Sequence, residues 1–537
     1  MALESRSSAQ TSSQTSAPNS LHFNIADEFV SRPAAEHPDR LAILGTGRKR
    51  TYAQLEELTT RMAQSLRFAG CQPGDRVLIV LPDSAEFVAA FFGAAKIGAI
   101  AVPVNPHARA SDYRHYLANC GARVALVHAG TVGEFAAEAA TKALDLLVIV
   151  DPKSDTPRPE RIARKIVALD DWLHAKSCSV QTHPTKANDV AFFLYTSGSG
   201  GAAKAAVHRH GDMLTTSRNF AEGVLQLRAD DRLYSVSKLY FAYGLGNGMY
   251  FPLFFGAGTI LNPERPNAME IADTINRFKP TVFFSVPTFY ARLLQESERG
   301  LRVDFSSVRL AVSAGEALPP EVFERFRARF GIEILDGIGS TEMLHVFLSS
   351  RPGKVRAGSC GGEVPGYEVK ILDDGDAPVA DGEVGNLWVR GDSALTEYWQ
   401  NPELTAKTKR DGWVVTGDKF TRDGDGYFHY CGRSDDMMKV AGMWVSPGEV
   451  ENALMGHPAV SECAVVGQTD SVGLVKPVAY IVLRPSVIRP GGGLDSEIHG
   501  WLRTRMPQFK CPHDFRFVSE LPKTSTGKIQ RYLLRSQ

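Results

Sequence analysis

The chain has 537 residues, too many for one ordinary core, so a few domains are expected. Its 43% hydrophobic and 22% charged content is ordinary for a soluble globular protein. Lys+Arg 60 against Asp+Glu 60 leaves no net charge, and hence no overall electrostatic footprint for nucleic acid or anionic lipid.

Residues 1–20 are rich in Ser, Thr, Gln and Ala and nearly free of large apolar side chains. They lack the apolar core of a secretory signal, and with Arg6 as the only basic residue a transit peptide is the weaker reading; a disordered tail is expected. Strand-like apolar runs then alternate with helical patterns. Strands are expected at 76–81, 123–128, 146–150, 190–194, 281–286 and 308–312, and helices at 85–97, 135–143, 268–278, 287–298 and 320–330. This alternation argues α/β architecture with largely parallel sheets covered by helices. The most membrane-like stretch, 85–104, carries Glu86 and Lys96 and is broken by Pro103, so it reads as a buried helix followed by a strand.

The strand 190–194 breaks into Thr196-Ser197-Gly198-Ser199-Gly200-Gly201-Ala202-Ala203-Lys204, followed by a helical segment from His210. Glycines let backbone N–H groups crowd round a phosphate, hydroxyls add donors and a lysine supplies counter-charge. From 366 to 430 the texture changes to short strands separated by Asp-Gly turns, an antiparallel β region. A compact α+β tail follows, ending in a polar, doubly basic segment that carries Lys523 and Lys528. The seven scattered cysteines form no C-x-x-C pair, which argues against structural zinc or a disulfide framework and for a reducing cytosol.

Four further clusters stand out: Ser313-Ala314-Gly315-Glu316, Asp336-Gly337-Ile338-Gly339-Ser340-Thr341-Glu342, Thr416-Gly417-Asp418, and Gly432-Arg433-Ser434-Asp435-Asp436 with the terminal Gly527-Lys528. Each alone is equally the sequence of a plain turn or a solvated lysine. In this order they resemble the adenylate-forming superfamily of acyl-CoA synthetases, luciferases and peptide-synthetase adenylation domains, over nearly the whole chain after the tail. Within it, the run from Lys238 to Asn247 and the run from Gly337 to His345 look like the benzoate–CoA ligase branch.

The resemblance implies a large N-terminal domain (21–432) of layered α/β sheets plus a distorted β-barrel region (about 366–430). A hinge (433–436) and a small mobile α+β C-terminal domain (437–537) would follow. It also implies activation of a carboxylate by ATP with Mg²⁺, then attack by coenzyme A and release of AMP. Thr196, Ser197, Gly198, Ser199 and Lys204 would hold the β- and γ-phosphates, Thr341 the α-phosphate and Glu342 the metal. Gly315, Glu316, Asp336 and Gly337 would line the adenine, and Asp418 and Arg433 would grip the ribose. Lys528 would bridge the substrate carboxylate and the α-phosphate. After rotation about Asp435, Lys439 and Trp444 would face the site instead, with Gly442 lining a pantetheine tunnel. The acyl pocket would be lined by Tyr240, Phe241, Ala242, Tyr243, Gly244, Ala314, Gly339 and His345, aromatic walls that suit a flat ring.

One departure stands out. The family's phosphate loop usually has Thr-Gly and then Pro-Lys-Gly, whereas this chain has Gly200, Gly201, Ala202 and Ala203 before Lys204 and Ala205 after it, which puts the speed of adenylation in doubt. The expectation is a cytoplasmic aryl-acid:CoA ligase, monomeric or homodimeric, with no nucleic-acid or membrane partner. The ring could be benzoate, 2-aminobenzoate or a hydroxybenzoate. An adenylation enzyme loading a carrier-protein thiol and a catalytically weak nucleotide-binding regulator remain as alternatives.

Overall fold

Strands that are apolar on both faces need cover on both sides, and here two sheets share a layer of helices. The structure, a computed structural model, describes residues 22–47, 49–137, 144–173, 180–196, 202–440, 443–469, 474–484, 487, 493–523 and 529–535. The first sheet has seven strands, in spatial order Ala163–Ala168, Leu144–Val150, Val124–His128, Arg76–Val80, Ile100–Pro103, Val190–Thr196 and Lys204–Arg209. Every pair is parallel except the last, a hairpin in which Thr196 faces Lys204. The second sheet has nine strands. Its parallel centre runs Leu41–Gly45, Gly258–Leu261, Arg232–Ser235, Val282–Ser285, Leu310–Ser313 and Ile334–Gly339, with antiparallel strands at both edges.

Between the sheets lie the helices Tyr52–Phe68 and Ala85–Lys96. Thr51 starts the first through a reciprocal capping box with Gln54, and the Ser84 hydroxyl caps the second by accepting from the Phe87 N–H. One core joins Ile79 of the first sheet to Phe284 of the second through Met62, Phe87 and Phe91, all fully buried. Ala85–Lys96 is buried at every position but Glu86, and between Glu86 and Lys96 it is apolar all round because it is covered all round. Lys96, at its end, is buried with its ammonium 2.8 Å from Glu56. Among the described residues no helix is long and apolar enough to cross a membrane. Helices on the outer faces complete the layers, with Tyr113 and Phe135 over the first sheet and Tyr290 and Phe326 over the second.

The Asp-Gly region forms a five-stranded antiparallel sheet from Glu368–Leu372, Gly385–Arg390, Lys409–Arg410, Trp413–Arg422 and Phe428–Arg433. Beyond it a hairpin (Met438–Val440 with Met443–Val445) precedes a three-stranded sheet of Val460–Thr469, Val475–Leu483 and Asp514–Phe517. The helices Pro447–Met455 and Leu494–Arg503 pack on that sheet around Val450, Leu454, Val465, Ile481 and Ile498. This is a mixed α/β protein with a large N-terminal unit of several sheets and a smaller α+β C-terminal unit.

Two local differences from the sequence reading stand out. Lys204–Arg209, not read as a strand from sequence, is one and leads into the expected helix at His210–Thr216, and the helix expected at 135–143 is described only as Val132–Ala137. Ala205, where the family pattern has glycine, is buried and faces Tyr195 across the hairpin.

Candidate active site

A cavity of about 590 Å³ opens where the parallel strands of the second sheet end, the edge at which open α/β sheets place ligands. Its walls include Tyr240 to Tyr243, Ala314 to Glu316, Gly339 to Thr341 with Leu344 and His345, Thr196 at the end of its strand, and Lys523 from the C-terminal unit. Asp83 and Lys238 anchor the aromatic wall. The buried Asp83 carboxylate accepts from the Leu239 N–H at 3.0 Å, and the Lys238 ammonium lies 3.5 Å from it and donates to the Asn262 carbonyl. The Tyr240 and Phe241 rings touch with centroids 4.6 Å apart and planes tilted by 56°.

His345 sits at the aromatic end with its ring 4.6 Å from Phe251, 5.2 Å from Phe220 and 5.5 Å from Tyr243. It is 2% exposed, and neither ring nitrogen has a hydrogen-bond partner among the described residues. Burial pushes its pKa down to about 3, so the imidazole is neutral at physiological pH. A neutral imidazole without partners on a cavity wall is equipped to bond a polar ring substituent. Glycines make room for it. A Cβ at Gly246 would lie 2.5 Å from the His345 Cδ2, and one at Gly339 would lie 2.5 Å from the His345 carbonyl oxygen. Gly244 is not on the wall. It is small because the Lys238 carbonyl passes 2.1 Å from where its Cβ would be.

Thr341, on the cavity wall, and Glu342 beside it lie in a turn held from several sides. The Glu342 carbonyl accepts from the Leu395 N–H at 2.7 Å, and the Ser393 hydroxyl donates to the Met343 carbonyl at 2.8 Å. The Tyr398 hydroxyl donates to the Glu342 carboxylate, and burial beside that charge holds the phenol protonated. The Lys204 ammonium lies over the Tyr398 ring, 5.8 Å from its centroid. The His208 ring bonds the Thr341 carbonyl through Nε2 at 2.8 Å and the Asp212 carboxylate through Nδ1 at 3.0 Å.

Gly315 has φ +94°, a backbone that favours glycine, and Glu316 accepts from the Thr288 hydroxyl at 3.0 Å. Asp336 lies in register beside Ser313 on the neighbouring strand. Asp336 Oδ1 and Ser313 Oγ are buried with no hydrogen-bond partner among the described residues, and burial pushes the Asp336 carboxyl up to about 8. Asp418 and Arg433 pair across their strands, guanidinium to carboxylate at 3.0 Å. Lys204, Asp336, Gly337, Glu342, Asp418 and Arg433 stand outside the wall of the cavity rather than on it.

The AMP-binding enzyme family model matches residues 30–399, and the AMP-binding enzyme C-terminal domain matches residues 449–528. The chain belongs to the AMP-binding enzyme family. Among curated relatives of this AMP-binding enzyme, the benzoate–CoA ligase of Thauera aromatica is 40% identical over 518 residues, covering 96% of each chain. Two solved structures are similar along nearly the whole length. One is the anthranilate CoA ligase AuaEII in complex with anthranoyl-AMP (TM-score 0.88, 37% identity, 96% of this chain and 97% of that one). The other is a benzoate CoA ligase from Burkholderia xenovorans LB400 (TM-score 0.87, 39% identity, 96% and 100%).

Several of the AMP-binding enzyme's expected site residues are brought together around one cavity: Thr196, Tyr240, Phe241, Ala242, Tyr243, Ala314, Gly315, Glu316, Gly339, Thr341 and His345. Ser197, Gly198, Ser199, Gly442 and Lys528 lie outside the described residues, as does the side chain of Trp444. Lys523, five residues before Lys528, lines the cavity. Lys439 does not; it lies near Asp374 of the antiparallel sheet, where its charge adds to the stronger pull of Lys419 and Asn386 in lowering the Asp374 pKa. Asp435 is exposed in the turn between Phe428–Arg433 and the following hairpin. Sequence reasoning missed Tyr398, His208 and Asp212, and noted Lys523 only as part of a basic segment. A lone tyrosine or histidine carries no periodic signal, and these act through tertiary contacts.

Proposed function

We propose that the chain joins an aryl carboxylate to the thiol of coenzyme A through an aryl-adenylate, at the cost of ATP. The observation that carries this reading is one cavity whose wall includes both the aromatic set Tyr240, Phe241, Tyr243 and His345 and the loop residues Gly315, Glu316 and Thr341. An aryl acid placed between them points its carboxylate at the α-phosphate of a nucleotide seated on the glycine turn. The similarity to benzoate– and anthranilate–CoA ligases supports the ring class.

In the first half-reaction a carboxylate oxygen attacks the α-phosphorus, and pyrophosphate leaves with the bridging oxygen. Bringing two anions together needs charge neutralisation and alignment. Lys204 and the hairpin tip would hold the β- and γ-phosphates, Thr341 the α-phosphate, Glu316 and the strand end at Asp336 and Gly337 the adenine, and Asp418 with Arg433 the ribose. Lys528 would bridge carboxylate and α-phosphate, a role suited to a compact charge on a flexible stem. Magnesium commonly takes one or two protein carboxylates plus substrate phosphates, and the half-buried Glu342 carboxylate next to Thr341 fits that donor set. Bound there, the ion would offset phosphate charge. In the second half-reaction the coenzyme A thiolate attacks the acyl carbon and AMP leaves, with Lys439, Gly442 and Trp444 brought to the site by rotation about Asp435.

A panel of aryl and alkyl acids, scored for AMP formation with and without coenzyme A, tests the reading. Benzoate and 2-aminobenzoate should support coenzyme A-dependent AMP release at least about tenfold faster than alkyl acids of similar size, the discrimination expected of a shaped apolar pocket. Equal turnover of alkyl acids, or no AMP with any acid, would overturn it.

A further inference from the structure

We propose that His208 is a positioning residue that sets the Thr341–Glu342 turn against the strand carrying Lys204, and so governs how well the ATP triphosphate is held. The inference rests on the site reading above. His208 lies on the strand Lys204–Arg209, two turns of the pleat beyond Lys204, and is fully buried. Its ring lies against Phe192 with centroids 5.3 Å apart and planes 17° from parallel. Stacking alone is what any core aromatic does. The two polar contacts are different, because they leave the ring through separate nitrogens and tie it to two parts of the chain far apart in sequence.

The Thr341 carbonyl only accepts, so the ring presents Nε2–H there, across 133 residues of sequence. Nδ1 meets Asp212, whose buried carboxylate also accepts from the Arg209 N–H and from the Arg209 guanidinium at 3.0 Å each. Asp212 therefore fixes the ring, and the ring fixes Thr341, the logic by which an outer carboxylate orients a histidine elsewhere. On the other flank, the segment 395–399 bonds both to this strand (Trp399 N–H to the Ala205 carbonyl, 2.8 Å) and to the turn (Leu395 N–H to the Glu342 carbonyl, 2.7 Å). That segment ties the turn to the strand through its backbone and through Tyr398, whereas His208 reaches from the strand itself to the Thr341 carbonyl, so the spacing between the lysine and the turn depends on this ring.

The test compares wild type with His208→Phe, which keeps a flat ring on Phe192 and loses both polar contacts, and His208→Gln, which returns an N–H toward Thr341. His208→Phe should raise the KM for ATP in acid-dependent pyrophosphate exchange roughly tenfold, the scale of one buried hydrogen bond. The KM for benzoate should change less than about twofold, and His208→Gln should recover part of the loss. Calorimetric titration with ATP and magnesium, without acid, should rank the three proteins identically. If His208→Phe does not fold, His208→Leu takes its place, and an unchanged KM for ATP in the variant without polar contacts overturns the proposal. Equal loss of ATP and benzoate affinity overturns it as well. Failure of every acid in wild type would contradict the aryl-ligase reading instead, and the ATP titration would still judge His208.

Discussion

Asp336 sits beside the glycine turn with its proton held by burial. An aspartate ordinarily titrates at 3.8, and here the carboxyl is pushed up to about 8. Between those values the unfolded chain has released a proton that the folded chain keeps. The group's contribution to stability is therefore present at low pH and is lost as pH rises from about 4 to about 8. Asp336→Asn removes the titration while keeping the shape. The variant should gain melting temperature over wild type more at about pH 8 than at about pH 5. A gain that is the same at both pH values, measured by thermal unfolding, would contradict the burial argument. Asp336 was visible in the sequence as part of a small-residue cluster after a strand. Its protonation was not, because that depends on neighbours from other strands. His345 was visible as a pocket candidate balanced against a structural role, and only packing against Phe220 and Phe251 shows that both its nitrogens are left without partners.

The hairpin and the strand ending at Gly339 are elements that both reach the cavity wall. Val190–Thr196 was readable as an apolar run, but its partner Lys204–Arg209 was not, since two alanines, a lysine and two other charged or polar residues carry little strand propensity. Pairing supplies what propensity lacks, with Ala205, Ala206 and Val207 buried against the sheet. Gly339 belongs to the opposite case, a residue whose identity the backbone dictates. A Cβ there would meet the His345 carbonyl at 2.5 Å and the Val346 Cα at 2.8 Å, and neither is the end of a flexible side chain. Gly339→Ala should cost about 1–3 kcal/mol in denaturant unfolding, the range for overpacking, and should raise the KM for the aryl acid more than that for ATP. An alanine variant with wild-type stability and wild-type KM for acid would show that the strand end yields more freely than its contacts imply.

At the scale of the molecule, the order of parts was readable: parallel α/β layers, then an antiparallel region, then a small α+β unit. Strand alternation and Asp-Gly turns are local signals. How the small unit sits on the large one is not local, and no periodicity encodes it. In this structure Lys523 lies on the cavity wall, while Lys439 stands near Asp374. Under the proposed mechanism, adenylate formation would need Lys528 at this cavity and thioester formation would need Lys439 there instead. The central claim is that one cavity serves two chemistries because the cation assisting the first is withdrawn for the second. The direct measurement is Lys528→Ala assayed in each half-reaction separately. Adenylate formation from benzoate and ATP should fall by about a hundredfold or more, the scale of losing one preorganised charge, while thioester formation from supplied benzoyl-adenylate and coenzyme A stays within a few-fold of wild type. Equal loss in both half-reactions would contradict the account.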